Sequence, residues 1–342
     1  NNEHYRRYGL LGYPLGHSLS PFIHKQIMET VGLKGEYKLY ELKPQELFTK
    51  LPQLLSFLDG VNVTIPYKQA IIPYLKGLSS SAQVYGAVNT VYQARGYNTD
   101  GAGFISCKVP IEEKQVLILG AGGVARVLAV EAARSGAKEI FVHARNHGKA
   151  ADLAGVVKAL GFQDIAFGNS DGNASYGVIL NGTPVGMWPN SGSLPIGIEH
   201  IRKAEVIFDT IYNPTATRLV LHGKSQGGWS MGGLKMLFAQ ALAAQKIWNH
   251  ELDFSPFASE LAQVEKSLAK EVLKQNPLKL VITGFMGSGK STTAKLLAEG
   301  MEGLLPYVDL DEVIAQRSEM SIADIFATQG EPAFRKLERE CL

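Results

Sequence analysis

The stretch that most restricts the fold of this chain is Gly120-Ala121-Gly122-Gly123-Val124-Ala125, GAGGVA in one-letter code. It fits the pattern G-x-G-x-x-A, follows the apolar run QVLIL and precedes VARVLAVEAARSG, which predicts a helix. Glycines at such a junction let backbone N–H groups approach a pyrophosphate, and the positive end of the helix stabilises its charge. The junction predicts a Rossmann-like dinucleotide-binding unit. The alternative is a glycine-rich turn that only packs.

The residues after the next predicted strand indicate which dinucleotide is bound. An acidic residue there would hold a free ribose 2′-hydroxyl, whereas a cation would pair with a 2′-phosphate. The chain has no acidic residue at this point and reads Ala144-Arg145-Asn146-His147-Gly148-Lys149. The two cations, Arg145 and Lys149, favour NADP over NAD. The alternative is that both are ordinary solvated charges.

Strand and helix signals alternate along most of the chain, which is typical of α/β proteins. One series runs from residue 8 to about 103, and a second opens at Gln115. A helix is predicted over 233–251 and an amphipathic helical linker over 252–277. We therefore predict an N-terminal α/β domain over 1–103 that is completed by helix 233–251. A Rossmann-like domain over 104–232 and a third unit over 278–342 follow.

Composition excludes several classes of protein. The chain has 34 basic and 32 acidic residues among 342, so no overall field favours nucleic acid or an anionic membrane. Its two cysteines, Cys107 and Cys341, lack the spacing of a zinc site or a disulfide framework. Glycines and charges interrupt the apolar stretch 116–133, and the first residues lack the apolar core of a signal peptide. We expect a cytoplasmic protein that is a monomer or homodimer and has a small-molecule substrate.

Polar side chains in the first domain predict a second site. Val61-Asn62-Val63-Thr64-Ile65-Pro66-Tyr67-Lys68 alternates as a strand does and then meets a proline suited to a first helical turn. Asn62, Thr64 and Lys68 could converge on one hydroxylated ligand, with the lysine amine as proton carrier. GAVNT (86–90) and GYNTDG (96–101) add an amide and the carboxylate of Asp100. Taken alone, Lys68 is an ordinary surface lysine and Asp100 a turn residue.

Together these motifs resemble the shikimate dehydrogenases. The resemblance covers residues 8 to about 251 in the order found in the family. It is carried by GYPLGHSLSPFIH (12–24), GVNVTIPYK (60–68), GAVNT (86–90), YNTDGAG (97–103), GAGGVA (120–125), NGTPVGM (181–187), DTIYNP (209–214) and GGLKMLFAQ (232–240).

The resemblance implies NADP-dependent reversible reduction of 3-dehydroshikimate to shikimate, in the shikimate pathway of aromatic amino-acid biosynthesis. The catalytic pair of the family falls on Lys68, which gives the proton, and Asp100, which positions lysine and substrate. These roles agree with the chemistry, because hydride delivered to a ketone leaves alkoxide charge beside a proton donor. The implied substrate contacts are Ser18, Ser20, Asn62, Thr64, Asn89, Tyr212 and Gln240. The implied cofactor contacts are Gly120, Ala121, Gly122, Gly123, Val124, Ala144, Arg145, Asn146, Lys149, Thr183, Met187, Thr210 and Gly233.

Several alternatives stay open at this point. Ser20-Pro21 could be a helix N-cap followed by proline, and Gln240 an unremarkable helix residue. Ala144-Arg145-Asn146 stands where the family commonly has Asn-Arg-Thr, and Asn181-Gly182-Thr183 where it has Asn-Ala-Thr. Quinate, which has one more hydroxyl, is the rival substrate. A catalytically silent regulator that binds NADP and shikimate is the alternative of another class.

The third unit contains Gly284-Phe285-Met286-Gly287-Ser288-Gly289-Lys290-Ser291-Thr292 between a predicted strand KLVIT and a predicted helix STTAKLLAEGM. It fits the P-loop pattern G-x-x-x-x-G-K-S, in which backbone N–H groups cradle phosphates, Lys290 reaches the β/γ oxygens and Ser291 binds Mg²⁺. The ATP contacts would be Gly287, Ser288, Gly289, Lys290, Ser291 and Thr292.

Residues 308–338 resemble the first part of a shikimate kinase. The resemblance implies that Asp309 lies near Mg²⁺ and that Asp311 and Arg335 bind the substrate. The alternative for Asp309-Leu310-Asp311 is a helix cap. The 65 residues from 278 onward end before the second glycine loop and the lid arginine of that family. We therefore expect a truncated kinase segment without phosphoryl transfer.

Overall fold

The computed structural model describes residues 5–16, 18–170, 174–275, 280–285, 287–300 and 307–341. It divides into two compact units, Asn1–Asn276 and Pro277–Leu342. His17 and Met286, which belong to two of the motifs quoted above, lie outside the described residues. The predicted α/β class is confirmed in the first unit, where two separate six-stranded sheets form.

The first sheet is mixed, with strand order β2-β1-β3-β5-β6-β4. β1 pairs in parallel with β2 and β3, whereas β5 is antiparallel to both β3 and β6. Short turns of 3₁₀-helix lie at Pro44–Glu46 and Ile72–Tyr74. The elements of this part are β1 (Arg6–Gly12), α1 (Ser20–Thr30), β2 (Gly35–Glu41), α2 (Leu47–Phe57), β3 (Gly60–Val63), α3 (Tyr67–Ala70), β4 (Gly77–Leu78), α4 (Ser80–Tyr85), β5 (Thr90–Tyr92), β6 (Arg95–Tyr97) and α5 (Asp100–Ser106).

The second sheet is entirely parallel, with strand order β12-β11-β10-β7-β8-β9. Relative to its own first strand this is the doubly wound order 3-2-1-4-5-6, and ligands of such sheets bind where the order reverses, here between β7 and β10. Its elements are β7 (Gln115–Leu119), α6 (Gly123–Arg134), β8 (Glu139–His143), α7 (His147–Ala159), β9 (Ile165–Gly168), β10 (Val178–Asn181), α8 (Ile198–Ile201), β11 (Val206–Asp209), α9 (Arg218–Ser225) and β12 (Trp229–Met231).

The chain then returns to the first sheet through two long helices. α10 (Leu234–Trp248) packs against α5 and α1. A 3₁₀ turn at Ser255–Phe257 leads into α11 (Ala258–Gln275), where the predicted linker lies. Leu261, Val264, Leu268 and Val272 line one face of α11 and are buried in the same apolar cluster as residues of α1 and α10. The regularly spaced apolar residues of this segment therefore pack into the core of the first unit.

The second unit consists of helices in its described part: α12 (Lys290–Gly300), α13 (Leu310–Ser318) and α14 (Ile322–Cys341), the last interrupted at Gly330. The prediction of a strand over Lys279–Thr283 is wrong for residues 280–283, which form no strand; Lys279 lies outside the described residues. A parallel strand needs a hydrogen-bonded neighbour. No strand forms in the described ranges 280–285, 287–300 and 307–341.

Candidate active site

Lys68 and Asp100 form an ion pair inside the first unit. Chain leaving β3 passes through Pro66 into α3, which places Lys68 one residue into that helix, and Asp100 is the first residue of α5. Lys68 Nζ donates to Asp100 Oδ2 at 2.8 Å, with the side chains 23% and 12% exposed. The amine and carboxylate are thus paired and still reachable by a small molecule.

Two asparagines hold the Asp100 end of this pair. Asn89 Nδ2 donates to Asp100 Oδ1 at 2.9 Å, and Asn89 Oδ1 accepts the backbone N–H of Thr99 at 2.9 Å. Asn98 Oδ1 accepts the backbone N–H of Asp100 at 3.0 Å, and Asn98 Nδ2 donates to the Ala87 carbonyl at 3.0 Å. Asn98 was not among the predicted site residues. The sequence feature that could have predicted this role is an asparagine two residues before an aspartate in a turn. From that position the asparagine side chain commonly accepts a hydrogen bond from the backbone two residues later.

Ser18 and Ser20 lie at the start of α1. Ser18 Oγ accepts the backbone N–H of Ser20 at 3.2 Å. The interpretation of Ser20 as N-cap is wrong, because Leu19 holds that position and Ser20 is the first helical residue. The helix begins one residue early since the Ser18 hydroxyl already satisfies a free N–H. Both serines and Thr64 are partly exposed, so their hydroxyls remain available to a ligand.

Asn62 is buried and its amide is fully engaged. Its Oδ1 accepts the Tyr37 hydroxyl at 2.9 Å, and its Nδ2 donates to Thr90 Oγ1 and to the Asn89 carbonyl, both at 3.1 Å. Tyr37 was not predicted to belong to this cluster. Tyr37 lies in β2, two strands away from β3. The alternation of residues within β3 cannot predict a contact with a residue of another strand.

The remaining predicted substrate contacts come from other elements. Tyr212 follows β11 of the second sheet but packs against the apolar cluster of α1 and α10. Burial raises the pKa of its hydroxyl. Gln240 of α10 donates from Nε2 to the Leu237 carbonyl at 2.8 Å. Gly103 of α5 packs beside it, since a Cβ at Gly103 would lie 3.2 Å from Gln240 Cβ.

The glycine loop fits a pyrophosphate. Gly120 has a φ of +98°, a conformation that favours glycine, and a Cβ added at Gly122 or Gly123 would meet no atom within 4 Å. Ala121 and Val124 are partly exposed beside them. The loop is therefore open where α6 begins, at the reversal of strand order. A phosphate could approach these N–H groups without a steric barrier.

Gly182 explains one departure from the family pattern. A Cβ at this position would lie 3.0 Å from the backbone N and Cα of Ala125, in the first turn of α6. Such a contact is tighter than side chains tolerate next to rigid backbone. Glycine in Asn181-Gly182-Thr183 therefore lets the end of β10 approach the glycine loop closely.

Arg145, Asn146 and Lys149 lie exposed after β8, whereas Ala144 is buried. Asn146 caps α7, because its side chain accepts the backbone N–H of Lys149 at 3.0 Å. Arg145 and Lys149 make no ion pair with another described residue. The two cations are thus free to bind an anion at the carboxyl end of β8.

The other predicted cofactor contacts follow β10 and β11. Thr183 Oγ1 donates to Asn181 Oδ1 at 2.7 Å, and Thr210 Oγ1 to the Asn181 carbonyl at 2.9 Å. Met187 is 46% exposed. Gly233 is buried and a side chain there would overlap the Thr210 carbonyl. These residues surround the carboxyl ends of the strands, where such sheets bind ligands.

The P-loop of the second unit has part of the expected geometry. Gly287 and Gly289 have φ of +76° and +83°, and Ser288, Ser291 and Thr292 are exposed. Lys290 Nζ donates to the carbonyls of Gly284 and Phe285, both at 2.8 Å. The lysine is thus bonded to the backbone of its own loop.

Asp309 and its neighbours favour the cap interpretation. The Asp309 side chain accepts the backbone N–H of Asp311 at the start of α13 and the Ser291 hydroxyl at 3.1 Å. The hydroxyl of Tyr307 is the main cause of a lowered Asp309 pKa. Arg335 pairs with Glu338 at 2.9 Å and Glu331 at 3.4 Å on its own helix, so it is already engaged.

In the described part of the chain, none of the helices combines the length and the apolar character of a membrane span. Within the same residues, no group of three or more His, Cys, Asp or Glu side chains could hold a metal ion.

A doubly wound parallel sheet with an open glycine loop, joined to a mixed sheet that presents an amine–carboxylate pair, defines the class of NAD(P)-dependent dehydrogenases. The family description "shikimate dehydrogenase substrate binding domain" matches residues 10–91, and "shikimate kinase" matches residues 286–342. A shikimate dehydrogenase (NADP(+)) of Halothermothrix orenii is 38% identical over 258 residues, covering 70% of this chain and 89% of the relative. The chain belongs to the shikimate dehydrogenase family.

Solved structures agree with this assignment. A chorismate mutase/shikimate 5-dehydrogenase fusion protein from Clostridium acetobutylicum has 33% identity and a TM-score of 0.70, covering 79% of this chain and 99% of that one. The shikimate 5-dehydrogenase of Thermus thermophilus, in complex with NADP(H) and shikimate, has 29% identity and a TM-score of 0.65, covering 76% of this chain and 99% of that one.

Proposed function

We propose that the first unit catalyses the NADP-dependent, reversible reduction of 3-dehydroshikimate to shikimate. The observation that carries the proposal is the Lys68–Asp100 pair, 2.8 Å from Nζ to Oδ2, in a chain of this family. A protonated amine that is oriented by a carboxylate and reachable from solvent is suited to donate a proton to a developing alkoxide. NADPH, when bound, supplies the hydride.

The roles of the chain's own residues follow from the contacts. Lys68 donates its proton to the substrate oxygen during reduction and takes it back during oxidation. Asp100 orients that amine, and Asn89 and Asn98 hold Asp100 in turn. Ser18, Ser20 and Thr64 offer hydroxyls to the substrate carboxylate and ring hydroxyls, and Tyr212 and Gln240 are further contacts to the substrate. Asn62 acts through Tyr37 and Asn89, because its amide already bonds protein groups.

An assay with two substrates and two cofactors tests this proposal. The purified chain is given shikimate or quinate, each with NADP or NAD, and reduced nicotinamide is followed by its near-ultraviolet absorbance. We expect the highest kcat/KM with shikimate and NADP. Higher kcat/KM with quinate would overturn the substrate assignment. Binding of NADP and shikimate without turnover would favour the silent regulator.

The same preparation tests the kinase alternative in a further arm with ATP, Mg²⁺ and shikimate. We propose that this 342-residue chain transfers no phosphate. Lys290 is bonded to its own loop, and residues 280–283 before the loop form no strand that would hold it. Formation of ADP that depends on shikimate would contradict this.

The choice of NADP rests on Arg145 and Lys149. Replacing both by alanine removes two cations from the place where a 2′-phosphate is expected, and charge-assisted bonds of this type contribute about 1.5–3 kcal/mol each. We expect KM for NADP to rise about 10²–10⁴-fold, with KM for NAD unchanged. Lys158→Ala, at the other end of α7, is the matched control and should alter neither KM. An equal rise for both cofactors would contradict a 2′-phosphate contact.

A further inference from the structure

A buried hydrogen bond joins the two halves of the first unit. Glu131 lies in α6, on the second sheet, and is 2% exposed. Its Oε1 accepts the hydroxyl of Tyr85 at 2.6 Å and Nη1 of Arg134 at 2.8 Å. Tyr85 is the last residue of α4, which packs on the first sheet. Burial is the main reason that the pKa of the Tyr85 hydroxyl is raised, so this hydroxyl keeps its proton and remains the donor.

The same hydroxyl lies on the first turn of α5, beside Asp100. A methyl group at Gly101 would overlap the Tyr85 hydroxyl. On another side of α5, a Cβ at Gly103 would lie 2.7 Å from the Met236 carbonyl of α10. α5 is therefore held between Tyr85 and α10 at contacts that only glycine permits. This helix begins with the carboxylate that pairs with Lys68.

A second contact crosses between the halves next to Tyr85. Gly86 ends α4 in a left-handed conformation, and a Cβ there would lie 2.6 Å from Nη1 of Arg126 on α6. The end of α4 thus meets α6 at two points, through Arg126 and Glu131. These contacts fix the position of α4 relative to α6, the helix that begins at the glycine loop. They thereby also fix the first turn of α5, which packs against Tyr85.

We propose that Tyr85 and Glu131 are positioning residues for the reaction, whose bond places Asp100, and through it the Lys68 amine, relative to the cofactor-binding half. This rests on the proposed function for the reaction itself. Displacing a reacting group by about 1 Å can lower a rate about 10²-fold. A bond with a structural role alone would change only the stability of the fold.

Tyr85→Phe in the full chain removes the hydroxyl and keeps the ring. We expect kcat for shikimate oxidation to fall about tenfold, with both KM values within about twofold. Hydrogen–deuterium exchange of residues 98–106 should speed up in the same variant, since α5 is less firmly held.

Tyr8→Phe is the matched control. Tyr8 is 1% exposed and donates to Asn249 Oδ1 at 3.0 Å, so this change also deletes a buried hydroxyl bond but does not touch α5. It should lower the melting temperature without lowering kcat or speeding the exchange of residues 98–106. Glu131→Gln keeps an acceptor for Tyr85 and should stay near wild type, whereas Glu131→Leu should behave as Tyr85→Phe does.

The outcomes separate this inference from the function on which it rests. Wild-type turnover of shikimate with NADP tests the proposed function alone. The exchange of residues 98–106 needs no turnover, so it tests the positioning role even in an inactive preparation. Equal exchange and equal kcat in Tyr85→Phe and Tyr8→Phe would overturn the positioning role, as would Glu131→Leu with the kcat of wild type.

Discussion

Lys68→Met is expected to lower kcat for shikimate oxidation by about 10²–10⁴-fold, the range over which a positioned acid or base contributes. Methionine keeps the unbranched length of the side chain and removes the ammonium that pairs with Asp100 at 2.8 Å. In this direction hydride leaves the alcohol carbon, and without transfer of the hydroxyl proton to Lys68 the product would remain a protonated, positively charged carbonyl. The measurement is steady-state kinetics with NADP, together with NADP binding by fluorescence, which should be unchanged.

The control for this prediction is Lys76→Met, an exposed lysine of the same half that lies before β4. It should retain the kcat of wild type. The melting temperature of Lys68→Met should stay close to that of wild type, because a partly exposed ion pair contributes little to stability. If Lys68→Met keeps nearly full turnover with its fold intact, Lys68 is not the proton carrier.

Much of the fold could be predicted from local patterns. The run QVLIL, the glycines after it and the helix VARVLAVEAARSG correspond to β7, the loop and α6, because each element is specified by residues close to one another in sequence. The apolar spacing of α11 likewise predicted a helix with one buried face. The segment before the P-loop shows the limit: KLVIT has strand composition, but residues 280–283 form no strand because a strand also needs a neighbour.

The site was harder to predict for a related reason. Lys68 and Asp100 are 32 residues apart, and only the family resemblance predicts that they act together. Asn98, which bonds Asp100, lies in the motif YNTDGAG but was not assigned a contact, and Tyr37, which bonds Asn62, lies outside the quoted motifs. Glu131 is one of the charges that interrupt the apolar stretch 116–133. Its partner Tyr85 lies 46 residues earlier, in α4 beside the first sheet, and no local pattern encodes such a contact.

Asp209→Ala is expected to cause the largest loss of stability, about 2–4 kcal/mol in the free energy of unfolding at pH 7. The Asp209 carboxylate is fully buried at the end of β11. It accepts bonds from Asn181 Nδ2 at 3.0 Å, from the Ile211 N–H at 3.0 Å and from the Thr217 hydroxyl at 2.7 Å. Alanine would leave these three donors buried and unsatisfied, each at a cost of about 1–3 kcal/mol. Removal of the buried charge offsets part of that cost. Urea unfolding, followed by circular dichroism, measures the loss.

The variant Asp209→Asn removes the charge of Asp209, so it tests the effect of the charge separately from that of the three hydrogen bonds. Burial raises the pKa of Asp209 to about 6, although its three hydrogen bonds act in the opposite direction. A carboxyl whose pKa is higher in the folded state stabilises the fold fully below its unfolded pKa, near 3.8, and loses that contribution as pH rises through about 6. The wild type should therefore lose up to about 3 kcal/mol relative to Asp209→Asn between pH 4 and pH 7. Parallel stability curves for the two proteins over this range would show that Asp209 is ionised throughout, held by its three donors. A wild-type curve that falls relative to the Asn variant would show that burial outweighs them.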